Sequence, residues 1–123
     1  TDRLNNEADI LAALAPIYRT YAKVLDYPQQ QQIVAFGADD ITTYWGGNKA
    51  SLRVFDSFDY GNGENAGSTW LATSWDGYWQ CIYYANTLIS NLENSSAAVD
   101  IIQVAEGEAR FMRALCYFNL VRA

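Results

Sequence analysis

Three stretches of this chain, 6–25, 69–93 and 98–122, repeat their apolar residues every three or four positions, the spacing of an α-helix with one buried side. In the first stretch the row is Ile10, Leu14, Ile17, Tyr21 and Val24. Asn6 can cap its start, and Glu7 and Asp9 suit the positive end of the helix dipole. Pro16 removes one backbone hydrogen bond inside the run and is expected to kink it, and Asp26-Tyr27-Pro28 stops it. The second stretch has Ser68 or Thr69 as cap and a broad apolar face: Leu71, Trp75, Tyr78 or Trp79, Ile82, Ala85, Leu88 or Ile89, and Leu92. Gly77 inside it costs about 1 kcal/mol against Ala and suits the close approach of a backbone or a large ring. Asn94-Ser95-Ser96 breaks the chain before the third stretch, where Asp100 and Gln103 have the spacing of a capping box. There Ile101, Ala105, Glu108, Met112, Leu115 and Asn119 form one row, and Ile102, Ala109, Cys116 and Leu120 the adjacent one. The expected fold is all-α: three main helices with short links and one long irregular, aromatic-rich loop.

That loop, 29–67, has no sustained period. Gln29 to Gln32 is a polar tract, and Ile33-Val34-Ala35-Phe36 reads as a strand-like piece or a turn of helix. Gly46-Gly47-Asn48 and Gly61-Asn62-Gly63 are turn signals, with Leu52-Arg53-Val54-Phe55 between them as an extended piece. A loop of this length inside a domain points to function or disorder. Tyr44, Trp45, Phe55, Phe58 and Tyr60 argue against plain disorder.

Composition narrows the function. The 123 residues amount to one domain or one piece of a larger one. Acidic residues outnumber basic ones, 14 to 8, and Lys23 and Lys49 are the only lysines, so a phosphate backbone or an anionic headgroup is a poor partner. The absence of His removes Ser-His-Asp and Cys-His catalysis and every His-ligated metal site. Cys81 and Cys116 are too few for a thiolate zinc site and read as two buried thiols acting as small hydrophobes, with a disulfide left open if the chain is extracytoplasmic. The start Thr1-Asp2-Arg3-Leu4 has no leader-like apolar run, and no apolar stretch is long enough to span a bilayer. Aromatic residues make up 15% of the chain, a content that needs a use.

The last stretch contains the most specific motif, Glu108-Ala109-Arg110-Phe111-Met112-Arg113-Ala114-Leu115-Cys116-Tyr117-Phe118-Asn119-Leu120-Val121-Arg122. It resembles the signature helix of the SusD/RagB family, approximately E-A-R-F-L-R-A-x-x-Y-F-x-L-V-R, with Met112 where Leu is usual, a conservative swap. Trp75, Tyr78 or Trp79, Ile82, Ala85-Asn86 and Leu88-Ile89 resemble the family's W-x-x-x-Y-x-x-I-x-x-A-N-x-x-I pattern. Ile17-Tyr18 matches its early Tyr-bearing stretch, although Pro16 stands near a common Gly. The resemblance covers 6–122. It implies a surface lipoprotein of the outer membrane in Bacteroidetes that binds a glycan, or in some members a peptide. Such proteins serve a TonB-dependent, SusC-like transporter, have tetratricopeptide-like helix pairs, and carry out no catalysis. It further implies that residues 1–123 are the N-terminal helical part of a larger domain, with the lipid anchor upstream and the remainder downstream.

Flat rings stack on the apolar C–H faces of sugars while polar neighbours hold the hydroxyls. Tyr44, Trp45, Asn48, Tyr60 and Trp70 are the residues available for this, the alternative being that these rings fold the loop onto the helices. No cofactor and no metal are expected. Asp56, Asp59, Asn62 and Glu64 lack calcium-loop spacing, because Phe58 and Tyr60 occupy ligand positions. Glu106 and Glu108 point about 200° apart on one helix and make a poor acid/base couple. Ion pairing, such as Glu106 with Arg110, is their expected role, and Asn86 is expected to satisfy loop backbone groups. Two rival readings stand beside the glycan-binding one: a tetratricopeptide-like scaffold for a protein partner, and a carboxylate hydrolase. For the core, Trp75, Trp79, Ile82, Phe111, Leu115 and Phe118 are expected to interdigitate with Ala85, Ala109 and Ala114 between the second and third helices.

Overall fold

Four helices make up the regular structure of the computed structural model, which describes residues 4–26, 42, 53–58 and 66–122. They are α1 (Glu7–Asp26), α2 (Arg53–Ser57), α3 (Ala66–Leu92) and α4 (Val99–Arg122), with no strand among the described residues. The fold is all-α, and the three long helices lie close to where the apolar spacing puts them, but α3 begins at Ala66, which places Ser68 and Thr69, expected as its cap, inside its first turn. The piece expected to be extended, Leu52–Phe55, is corrected in part: Arg53–Ser57 is helical. Five residues are too short to show a helical period, and Val54 and Phe55 are strand-favouring types. Ile33–Phe36 lies outside the described residues.

Local chemistry fixes the helix ends. Asn6 Oδ1 accepts the Asp9 backbone N–H at 3.0 Å, and the Asp9 carboxylate accepts the Asn5 N–H at 3.0 Å. Two donors near the start of α1 are thereby satisfied. α1 runs on through Pro16 and ends at Asp26, as the Tyr27-Pro28 stop signal requires. The expected Asp100/Gln103 capping box is corrected: Ile102 N–H donates to the Ala98 carbonyl at 3.0 Å, which places Asp100 inside the first turn of α4. The preceding turn is held by Ser95, whose hydroxyl accepts from Ala97 N–H at 3.2 Å and donates to the Leu4 carbonyl. Ser96 Oγ donates to Asn5 Oδ1 at 3.1 Å, so the α3–α4 turn is tied to the segment before α1.

The chain divides into two compact units, residues 1–23 with 76–123, and residues 24–75. In the first unit the buried side chains lie mostly at three- and four-residue steps. They are Ile10, Leu14 and Ile17 on α1, Tyr78, Cys81, Ile82, Ala85, Leu88 and Leu92 on α3, and Ala105, Ala109, Met112 and Cys116 on α4. Such seams bring three helices together around one core. Half-buried Tyr21 and Asn119 extend the α1 and α4 rows, and Asn119 Nδ2 donates to Tyr21 Oη at 3.4 Å and to the Leu115 carbonyl at 2.9 Å. α3 and α4 are antiparallel, the helix pair from which tetratricopeptide-like arrays are built. In the second unit Phe55 is buried, Thr42 Oγ1 donates to Asp56 Oδ2 at 2.8 Å, and Phe58 follows α2 with a left-handed φ of 52°.

The expected ring-filled core is corrected. Trp75, Trp79, Phe111 and Phe118 are exposed, Leu115 is half-buried, and Ala114 faces outward. Only Ile82, Ala85 and Ala109 of that set lie in the seam. The reason is steric: Ala85, Ala105, Ala109 and the two cysteines let the helices approach closely, so that of the α3 and α4 rings described as exposed or buried only Tyr78 is buried in the seam, while Trp75, Trp79, Phe111 and Phe118 stay on the flanks. Phe111 is 65% exposed, so Phe111→Ala should change stability by less than about 1 kcal/mol, which a urea titration checks. Gly107 lies inside α4 with nothing within 4 Å of where a Cβ would sit. Gly107→Ala should therefore raise stability by about 0.5–1 kcal/mol through helix propensity alone, read as a higher urea midpoint at unchanged slope.

Candidate ligand-binding surface

The seam residues of α3 fix which side of the helix faces away from the core. Trp75, Trp79 and Tyr83 follow one another at four-residue spacing on that outward side, 50%, 43% and 63% exposed. On α4 the outward residues Tyr117 and Phe118 are also exposed. Trp79 and Tyr117 meet edge to face, centroids 5.9 Å apart and planes at 89°, the geometry that the ring quadrupoles favour. Tyr83 and Tyr84 make a second edge-type pair, centroids 5.7 Å apart and planes at 61°. One turn further along α3, Asn86 Oδ1 accepts a 2.7 Å hydrogen bond from Arg113 Nη1. This corrects the role expected for Asn86: its partner is a guanidinium on the next helix, not a loop backbone. The Arg122 guanidinium lies 5.1 Å from the Phe118 ring centroid, within cation–π range. This face combines ring surfaces with an amide and guanidinium groups, a combination suited to flat, hydroxyl-rich ligands.

A second feature lies between α1 and α4. Ile10, Leu14, Ile101 and Ala105 floor an open groove of about 230 Å³, and Glu7, Asp100 and Glu108 stand at its edges. Tyr18 Oη donates to Glu108 Oε2 at 2.9 Å. The Tyr18 hydroxyl is pushed to higher pKa, first by partial desolvation and then by its bond to that carboxylate. Glu106 is held by Arg110, with Nη2 at 2.6 Å and Nε at 2.8 Å from one carboxylate oxygen. The pair is solvent-exposed and of (i, i+4) type, contributing about 0.3–0.5 kcal/mol. Both glutamates thus engage structural partners. Among the described residues no three Cys, Asp or Glu side chains gather as a metal site.

Of the residues expected to touch ligand, Tyr44, Trp45, Asn48 and Tyr60 lie outside the described residues. Trp70 falls in the early turns of α3, its side chain likewise outside what is described. Asp56 of the calcium-like spacing is bonded by Thr42, and Asp59, Asn62 and Glu64 are outside the described residues. The outward faces of Trp79, Tyr83 and Tyr117 were missed by sequence reasoning. The available signal was the 75–79–83 spacing, which runs beside the row through Tyr78, Ile82 and Ala85 and cannot share the same buried face.

The geometry defines an all-α helix-pair protein with a ring-bearing outer face. The chain belongs to the SusD-like family described as starch-binding and associating with the outer membrane, which it matches over residues 6–123. No curated protein and no solved structure matches the chain. Membership agrees with the signature helix, and the family's description is of starch binding and association with the outer membrane. No helix among the described residues is long and apolar enough to cross a membrane.

Proposed function

We propose that this chain belongs to a surface nutrient-capture lipoprotein that binds an oligosaccharide and hands it to a TonB-dependent, SusC-like transporter, without transforming it. The observation that carries this reading is the family match over residues 6–123. The exposed rings and the Asn86–Arg113 pair support it, since capture by stacking and hydrogen bonding needs no reacting group. Engagement of Glu106 by Arg110 and of Glu108 by Tyr18 supports binding over hydrolysis, because a glycosidase needs two carboxyls facing one bond.

Calorimetry of the full-length protein with starch-derived oligosaccharides tests the reading. Saturable binding is expected, with no reducing-sugar release by wild type or by Glu108→Gln. Release that vanishes in Glu108→Gln would make the protein a hydrolase, and no binding to any α-glucan would remove starch as its ligand. Trp45→Ala should weaken binding by about 1–3 kcal/mol, with nucleobase–aromatic stacking as the nearest measured analogue. The motive is in the sequence, a Tyr44-Trp45 pair beside Gly46-Gly47, since a Gly-Gly turn permits neighbouring rings to project. Unchanged affinity with an intact fold returns Trp45 to packing the loop.

A further inference from the structure

The antiparallel register of α3 and α4 is fixed by two contacts, Trp79 with Tyr117 and Asn86 with Arg113. Between them Cys81 falls level with Cys116. Both thiols are 0% exposed and lie in the seam where small residues bring the helices close. Cys81 Sγ lies 3.6 Å from the Ile17 carbonyl, to which it donates. Two cysteines facing each other across a tight helix pair are an unusual use of small hydrophobes, for which Ala or Val would serve.

We propose that Cys81 and Cys116 are a disulfide-forming pair whose oxidation ties α3 to α4. The physiological part of this rests on the outer-membrane reading, because proteins exported to the cell envelope pass through an oxidising compartment. The co-reactant is a disulfide, either that of a thiol–disulfide oxidoreductase or oxidised glutathione. One cysteine thiolate attacks it, forming a mixed disulfide and releasing one thiol. The second thiolate then displaces the other thiol, so that two S–H bonds are lost, one S–S bond forms, and the oxidant takes up two electrons and two protons.

Folding sets the timing. In the folded protein both thiols are 0% exposed in the seam, out of reach of a bulky disulfide oxidant. The bridge therefore closes while the helix pair is assembling and is shielded afterwards. It joins two helices through the residues between them and restricts the unfolded chain accordingly.

The test uses full-length protein recovered from the envelope of producing cells, acid-quenched and then alkylated with N-ethylmaleimide in denaturant. The expected result is no maleimide on Cys81 or Cys116, a mass lower by two hydrogens, and one cross-linked peptide containing both. A second arm refolds denatured protein in oxidised and reduced glutathione. An intramolecular bridge is expected, with unchanged helical circular dichroism and a Tm higher than that of the reduced protein. The difference should vanish in the Cys81→Ala/Cys116→Ala variant. Free thiols in both arms, or only glutathione adducts and intermolecular dimers, overturn the proposal. A bridge on refolding with free thiols in the envelope sample also overturns it for the working protein. That outcome counts against the oxidising compartment, while the calorimetric result on glycan binding stands or falls by itself.

Discussion

Tyr78→Ala should cost about 3–5 kcal/mol, while Trp79→Ala, one position along the same helix, should cost about 0.5–1.5 kcal/mol. The larger ring is at the second site, so hydrophobicity alone ranks them the other way. Burial reverses the order. Tyr78 is 1% exposed and lies in the seam, tilted against Tyr21 with centroids 6.3 Å apart. Truncating it leaves a cavity that surrounding side chains fill only in part. Trp79 keeps much of its surface in water, 43% exposed, and meets Tyr117 edge to face. Urea titrations of both variants check this, with the slope held constant so that the midpoint reports stability. Equal losses would mean that the α3 seam runs through Trp79 and that its ring is unavailable to ligand.

That contrast marks the boundary of what the residues disclose by themselves. The α1 row Ile10, Leu14 and Ile17 is legible because it repeats at four- and three-residue steps, while Leu11, Tyr18 and Leu25 on the exposed side lie seven residues apart among polar or small residues. On α3 the 75–79–83 and 78–82–85 rows are both apolar, and periodicity cannot choose between them. The choice is made by tertiary packing, through Ala85 and Ala109, whose small volumes let the backbones meet. α2 is illegible for a different reason, since five residues complete little more than one turn. The loop residues Tyr44, Trp45, Asn48 and Tyr60 were singled out by chemistry and not by period, and binding measurements are their test.

The signature helix becomes intelligible residue by residue. Ala105, Ala109, Met112 and Cys116 line the seam. Glu108 accepts from Tyr18 on α1, Arg113 reaches Asn86 on α3, and Glu106 holds Arg110 along the helix. Phe111, Tyr117 and Phe118 face outward. The motif thus encodes a helix bonded to two neighbours with its rings left on the outer side, within the stretch that matches the SusD-like family. Binding residues gain from a scaffold of this kind because their positions are set before ligand arrives.

Ala109→Asp should cost about 3–5 kcal/mol at neutral pH, whereas Ala114→Asp, five positions later on the same helix, should stay within about 0.5 kcal/mol of the wild type. Ala109 is 0% exposed, between helices that approach through small side chains, and a carboxylate there has neither room nor an opposite charge. Ala114 faces solvent and accepts the same side chain freely. The sign with pH follows from burial. The introduced carboxyl at 109 has its folded-state pKa raised above its unfolded value of about 3.9, so the folded state binds more protons between the two. Stability then falls as pH rises through that window, and the deficit is largest at neutral pH and shrinks on acidification. Urea titrations at neutral and acidic pH read both effects. A pH-independent deficit would assign the cost to steric crowding alone. Equal effects at 109 and 114 would contradict the α3–α4 seam, and with it the outward placement of the rings that the glycan-binding reading uses.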